Sequence, residues 1–388
     1  MKKASVLLLL VALVAAMPVA AEKPLHFTAS ETVSYDDNIY LTDKNTKDSF
    51  ISTTRLGAEY KANVPSTGLM LSAEAGVGYN AYTEKHNKNN YWDALGGFAL
   101  ENDQFKLGDR VLYTSDPANS SLTERHKRLN NTGYISYVTS REKMFGVGLF
   151  ASDSYDRYFE SEMQYLNRNR VNLGAQLHYN MTAKTSFFVE YMYSDIDYRD
   201  YVRVNGINSN VKNSHGHRLG LGVNGQLAAK VTGTAKVTYD MRQYEHSLAG
   251  AHDYNDLVGY YVALQWEPTS RNVLRLSGER KMEETFFGIP GEYNRYFADT
   301  VVSLYGAQKL TDKFTASLTL AWENMDYSKR VDNTKRDDNL YVVRPELDYQ
   351  FKDWLSAGVW YQFRTRHSNW RTADYDSNKA GVFVKAVF

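Results

Sequence analysis

The chain of 388 residues contains no cysteine. That excludes a disulfide framework, a thiolate metal centre and lipid attachment to a cysteine behind an export signal. Proline is scarce at 7 residues. Beyond Glu22 no apolar run approaches the roughly 20 residues that a membrane helix needs. A charge imbalance is missing too: Lys and Arg number 45, as do Asp and Glu. Without Lys2 and Lys3 the remainder is slightly acidic, which argues against a nucleic-acid partner.

What is present begins with an export signal. Met1, Lys2 and Lys3 precede an apolar stretch from Val6 to Ala16, and Pro18-Val19-Ala20-Ala21 ends in small residues suited to signal-peptidase cleavage before Glu22. Residues 1–21 are therefore expected to be removed, leaving 22–388 as one barrel domain. The aromatic content is high, with 30 Tyr, 17 Phe and 6 Trp beside 25 Gly. This composition favours strands over helices.

The strand pattern is two-faced. Leu56, Ala58, Tyr60, Ala62 and Val64 alternate with Arg55, Gly57, Glu59 and Lys61, and Pro65-Ser66-Thr67-Gly68 then turns the chain into a second alternating run. The same period of two recurs along 171–179, 231–239, 314–323 and 380–388. A wall with hydrocarbon on one side and water on the other demands this alternation. Short connections such as 102–104, 140–143 and 352–353 alternate with long ones such as 83–90, 116–129 and 199–214. Nine long and eight short connections give an all-β, up-and-down transmembrane barrel of about 18 antiparallel strands, with short periplasmic turns and long extracellular loops.

Some positions resist this reading. Asn131 to Thr139 fits either register, Asp109 and Arg280 fall on lipid faces, and Pro345 suggests a bulge. Aromatics near strand ends form two expected girdles, with Tyr79, Tyr82, Tyr113, Tyr193, Tyr239 and Tyr327 on the loop side.

Thr32-Val33-Ser34-Tyr35-Asp36-Asp37-Asn38-Ile39-Tyr40 and the ending Ser377-Asn378-Lys379-Ala380-Gly381-Val382-Phe383-Val384-Lys385-Ala386-Val387-Phe388 resemble the beta-barrel porin type 2 family found with exopolysaccharide and capsule systems. The resemblance implies a porin-like barrel in the bacterial outer membrane serving polysaccharide export, with periplasmic export partners. Phe388 resembles the terminal signal read by the barrel-assembly machinery.

Alternation places a basic excess in the lumen. Arg344, Arg364, Arg366 and Lys379 are the expected constriction, with Arg168, Arg170, Arg218 and Arg295 further along the path. Guanidinium groups offer bidentate contacts to carboxylate or phosphate, so the expected cargo is an anionic polysaccharide passing by diffusion. A general porin for hydrophilic solutes, or a closed surface barrel acting as adhesin or receptor, are the alternatives. Gly220 to Gly225 matches a dinucleotide fingerprint but alternates as a strand, and His215 with His217 lacks a third ligand. No cofactor, metal site or catalytic constellation is expected, so the chain reads as a non-enzyme in contact with outer-membrane lipid.

Overall fold

The computed structural model describes residues 24–199, 203–204, 207–247, 252–285, 295–327 and 335–388. The expected signal segment, 1–21, lies outside the described residues. Among them the chain forms β1 (Leu25–Asp36), β2 (Ser49–Val64), β3 (Leu69–Tyr82), β4 (Tyr91–Glu101), β5 (Phe105–Thr114), β6 (Arg128–Val138), β7 (Phe145–Tyr158), β8 (Arg168–Asn180) and β9 (Thr185–Asp197). A two-residue pair follows, β10 (Arg203–Val204) with β11 (Ile207–Asn208). The wall resumes with β12 (Ser214–Ala228), β13 (Val231–Tyr244), β14 (Tyr254–Thr269), β15 (Asn272–Glu284), β16 (Tyr296–Lys309), β17 (Phe314–Tyr327), β18 (Asp337–Lys352), β19 (Leu355–Ser368) and β20 (Tyr375–Val387).

Apart from β10 and β11, the strands form one 18-stranded antiparallel sheet in chain order, closed by β1 pairing with β20. Closure satisfies every ladder without leaving an edge, the condition for strands in lipid. No described helix is long and apolar enough to cross a membrane. At the seam Phe27 and Phe388 exchange backbone hydrogen bonds at 3.0 and 2.8 Å. The Phe388 ring stacks on Trp354 at 5.9 Å.

The alternation survives in three dimensions. Leu219, Leu221, Val237 and Val258 are exposed on the outer face, while Arg218, Gly220, Lys236 and Thr238 of the same region face inward. Leu221 is 65% exposed, which is an ordinary value for a side chain whose solvent is lipid. Among the described residues the interior is polar, without one continuous core. Two apolar clusters instead hold the inward-folded loops: Ile39 with Ile51 and Tyr82, and Tyr158 with Met163, Tyr165 and Leu166.

Three sequence expectations change. Pro345 makes no bulge: pairing with β19 runs from Val343↔Phe363 to Glu346↔Trp360 in a single register. The ladder skips Arg344 and Pro345 and resumes in the same register, so the missing donor interrupts the pairing without a slip. Register shifts occur at Gln226/Ala228, Trp266/Thr269 and Gln350/Lys352, all beside short turns. Tyr82 and Tyr327 leave the girdle, because both rings point inward and are buried, Tyr327 against Phe297. Asn131 settles the register of β6 by facing outward, where it donates to Asp109 Oδ1 at 2.9 Å.

Candidate functional site

The lumen is built from alternate residues of every strand, and its shape is decided by one loop. The segment 115–127 joins β5 to β6 and turns into the barrel. Its first turn is held by Tyr91 Oη donating to Asp116 Oδ1 (2.7 Å) and Arg128 Nε donating to the Asp116 carbonyl (3.0 Å). At its far end Ser120 Oγ donates to Glu323 Oε2 on β17 (2.7 Å), and the Ser120 carbonyl accepts Arg366 Nη1 from β19 (3.1 Å). By the shorter way round, β17 is eight strand positions from β5, nearly half the circumference of an 18-stranded ring. Leu122, two residues on, packs on the Tyr158–Leu166 cluster together with Ile207 and Val211. The loop therefore spans the bore and is fastened at a polar and an apolar end.

Around this crossing the sequence-predicted residues separate into two groups. Arg344, Arg364, Arg366 and Lys379 share the wall formed by β18, β19 and β20. Arg344 lies over Trp360 at 4.5 Å and pairs with Glu346 at 3.0 Å. Arg364 and Arg366 lie over Tyr375 at 5.4 and 4.6 Å. Lys379 sits 3.8 Å from Asp36. Between this wall and the crossing loop is a cavity of about 380 Å³, where Arg364 and Lys379 meet Arg125 from the loop. The Nε of Arg364 is buried without a hydrogen-bond partner.

The second group is neutralised. Arg168 reaches Asp156 at 3.1 Å and Glu283 at 3.9 Å, and Arg170 reaches Glu283 at 3.6 Å. Since Glu283 belongs to β15, these pairs draw together parts of the wall five strand positions apart. Arg218 is bound to Asp240, and Arg242 to Glu284. Arg295, only 2% exposed, is enclosed between Asp253 at 3.1 Å and the Tyr244 ring at 4.6 Å. The basic excess expected for the whole lumen thus becomes a local one. Asp36, Asp156, Glu283 and Asp338 carry inward charge that the sequence reading left out, and what remains net basic is the β18–β20 wall.

Tyr198 and the segment 207–213 support this arrangement. Lys212 is fully buried under Tyr198 and donates to the Thr285 carbonyl. Burial pushes its ammonium down to about 7, opposed by the Glu284 carboxylate and reinforced by Arg168. Among the described residues no three His, Asp or Glu side chains could hold a metal ion. His217 instead lies beside the outer-face Tyr191 and Tyr193, with its Nδ1 2.8 Å from Tyr191 Oη, and His215 lies against His217.

Ser120 and Arg125 are the residues that sequence reading missed. Neither stands in an alternating pattern, and the partners of Ser120 are 203 and 246 positions away, so nothing local marks them.

A closed 18-stranded wall with an apolar outside, a charged inside and a loop across the bore is the architecture of an outer-membrane porin. The family described as "Putative beta-barrel porin 2" matches residues 27–388, and the chain belongs to that family. Its place is the bacterial outer membrane. No curated protein matches the chain. Among solved structures it is similar to OpdK of Pseudomonas aeruginosa, with 9% identity over 94% of this chain and 99% of that one and a TM-score of 0.51. OpdL (11% identity, 94% and 98% covered, TM-score 0.50) and OccK5, also called OpdH (12%, 94% and 98%, 0.50), both of Pseudomonas aeruginosa, are similar to the same extent. At these identities the likeness is one of fold.

Proposed function

We propose that this barrel is a passive channel for small hydrophilic anions, carboxylates above all. The observation that carries the reading is the loop 115–127, which crosses to Glu323 and Arg366 and leaves a cavity of about 380 Å³ where Arg125, Arg364 and Lys379 outnumber Asp36 and Asp116. The Arg364 guanidinium and Lys379 lining the cavity offer charge-assisted donors to a passing carboxylate, and a cavity of that volume suits a metabolite rather than a polymer. OpdK, similar in fold, has been solved with vanillate, itself a small carboxylate. Export of an anionic exopolysaccharide, the use implied by the family resemblance, requires a bore free of the crossing loop and is the weaker reading.

Planar-bilayer recording separates the possibilities. The wild-type barrel should conduct with a preference for anions, and deletion of 118–123 should raise its conductance severalfold. An absence of current in both forms would sink the channel reading and leave a closed surface barrel. Block by long polyuronate, and not by small carboxylates, would return the polymer to first place.

A further inference from the structure

The crossing loop touches down on a boundary between two kinds of wall. On one side lie the basic residues of β18–β20. On the other, β15, β16 and β17 bring together Glu279, Asp299 and Glu323, all facing inward. The cation among them is Lys281, and it is already engaged: its Nζ lies 2.9 Å from Glu279 and 3.8 Å from Glu283. Lys281 is also the cross-strand partner of Asp299, yet its ammonium turns to the carboxylates of its own strand. Asp299 is left 7% exposed, with Oδ1 buried and unpartnered. Asp299 therefore has no ion pair of its own, since Lys281 is held by Glu279 and Glu283.

The two sectors are close. Glu323 pairs with Leu340, and Leu340 pairs with Arg366, which places Glu323 and Arg366 two strand spacings apart, about 10 Å; Asp299 lies one strand further, on β16. Ser120 demonstrates the fit by serving both, with its hydroxyl donating to Glu323 and its carbonyl accepting from Arg366. A donor group and an acceptor group a few bonds apart on one small molecule reproduce that pattern.

We propose that the acidic sector centred on Asp299 binds the cationic group of the permeating solute, so that the channel prefers molecules carrying both an ammonium and a carboxylate over simple carboxylates. This inference rests on the channel reading above and adds a second recognition element to it. The carboxylate end engages Arg364 and Lys379, while the ammonium end faces Asp299, whose Oδ1 has no hydrogen-bond partner. A solute with one charge satisfies one sector and leaves the other unmatched.

The test is flux into proteoliposomes of two radiolabelled probes of similar size, β-alanine and propionate, with potassium chloride conductance measured on the same preparation. β-Alanine should enter at least threefold faster than propionate. Asp299→Asn, close to isosteric, should bring the ratio towards one, and Glu279→Gln, at a more open position, should lower it in part. Arg364→Gln should slow both probes. Equal wild-type rates, or a ratio unmoved by both acidic-sector variants, overturns the proposal while measurable chloride conductance keeps the channel reading intact. A barrel without any conductance overturns both.

Discussion

Glu31 shows what one carboxylate requires on the lipid side of a membrane wall. It stands between Ala29 and Val33 in the outward parity of β1, and Val33 is exposed there. Ser52 Oγ and Thr54 Oγ1, outward on β2, each donate to it at 2.5 Å. Hydrogen bonds to a charged group contribute about 1.5–3 kcal/mol each. Replacing both donors, Ser52→Ala with Thr54→Val, should therefore cost about 3–6 kcal/mol of barrel stability, measured by urea unfolding in vesicles. Adding Glu31→Leu should recover most of that loss, because the unpaired carboxylate is then gone. A double variant as stable as wild type would show that the hydroxyls do not support the charge. Lys212 makes the opposite case in a loop. Its ammonium is pushed down to about 7 in the folded protein, against about 10.4 when solvated. The unfolded form thus binds more protons between these values, and loop docking gains stability as pH rises from about 7 towards 10. Hydrogen exchange at 207–213 should slow between pH 6 and pH 9 after correction for intrinsic rates. Lys212→Met should flatten that dependence.

At the scale of the element, the crossing loop behaves as a strap with two fastenings. Leu122→Ala removes its apolar fastening while leaving Ser120 in place. Single-channel records should then show a rise in open-channel noise of at least twofold, with mean conductance raised less than by deletion of 118–123. Unchanged noise would mean that the polar contacts alone fix the loop. This element was also the least legible from sequence. The wall strands announce themselves because a two-residue period along Arg55–Val64 or Val231–Tyr239 records which solvent each side chain meets. The long and short connections located the turns for the same reason. Loop 115–127 carries no such record, since its fate depends on Glu323 and Arg366, and a residue touched from 203 positions away leaves no local pattern. Tyr82 and Tyr327 were misplaced through a related weakness. An aromatic at a strand end suits a girdle or an inward cluster equally well, and only the parity of its strand decides. Arg344, Arg364, Arg366 and Lys379 were legible as lumen residues because parity does decide them. That Arg168 and Arg170 would be neutralised by Glu283 was not, because the partner lies on a distant strand.

At the scale of the molecule, the last residue is a structural part. Phe388 holds Phe27 by two backbone bonds and stacks on Trp354, so the side chain joins the periplasmic rim where first and last strands meet. Phe388→Ala should reduce the amount of assembled barrel in outer membranes at least threefold, read as the heat-modifiable band on gels. The material that does assemble should unfold nearly as wild type, since one rim contact is lost from a wall of eighteen strands. Equal yields would remove any assembly role from the terminal aromatic.

The pairing of β1 with β20 has a further consequence in time. Thr28 meets Val387 and Asp36 meets Lys379, so the contacts that finish the ring join residues some 340 to 360 positions apart. No truncated nascent chain can finish the ring. Until the C-terminal dozen residues emerge, two strands expose unmet amide and carbonyl groups that would pair with any neighbour offering the same. The ring therefore closes last, after every other strand has been made.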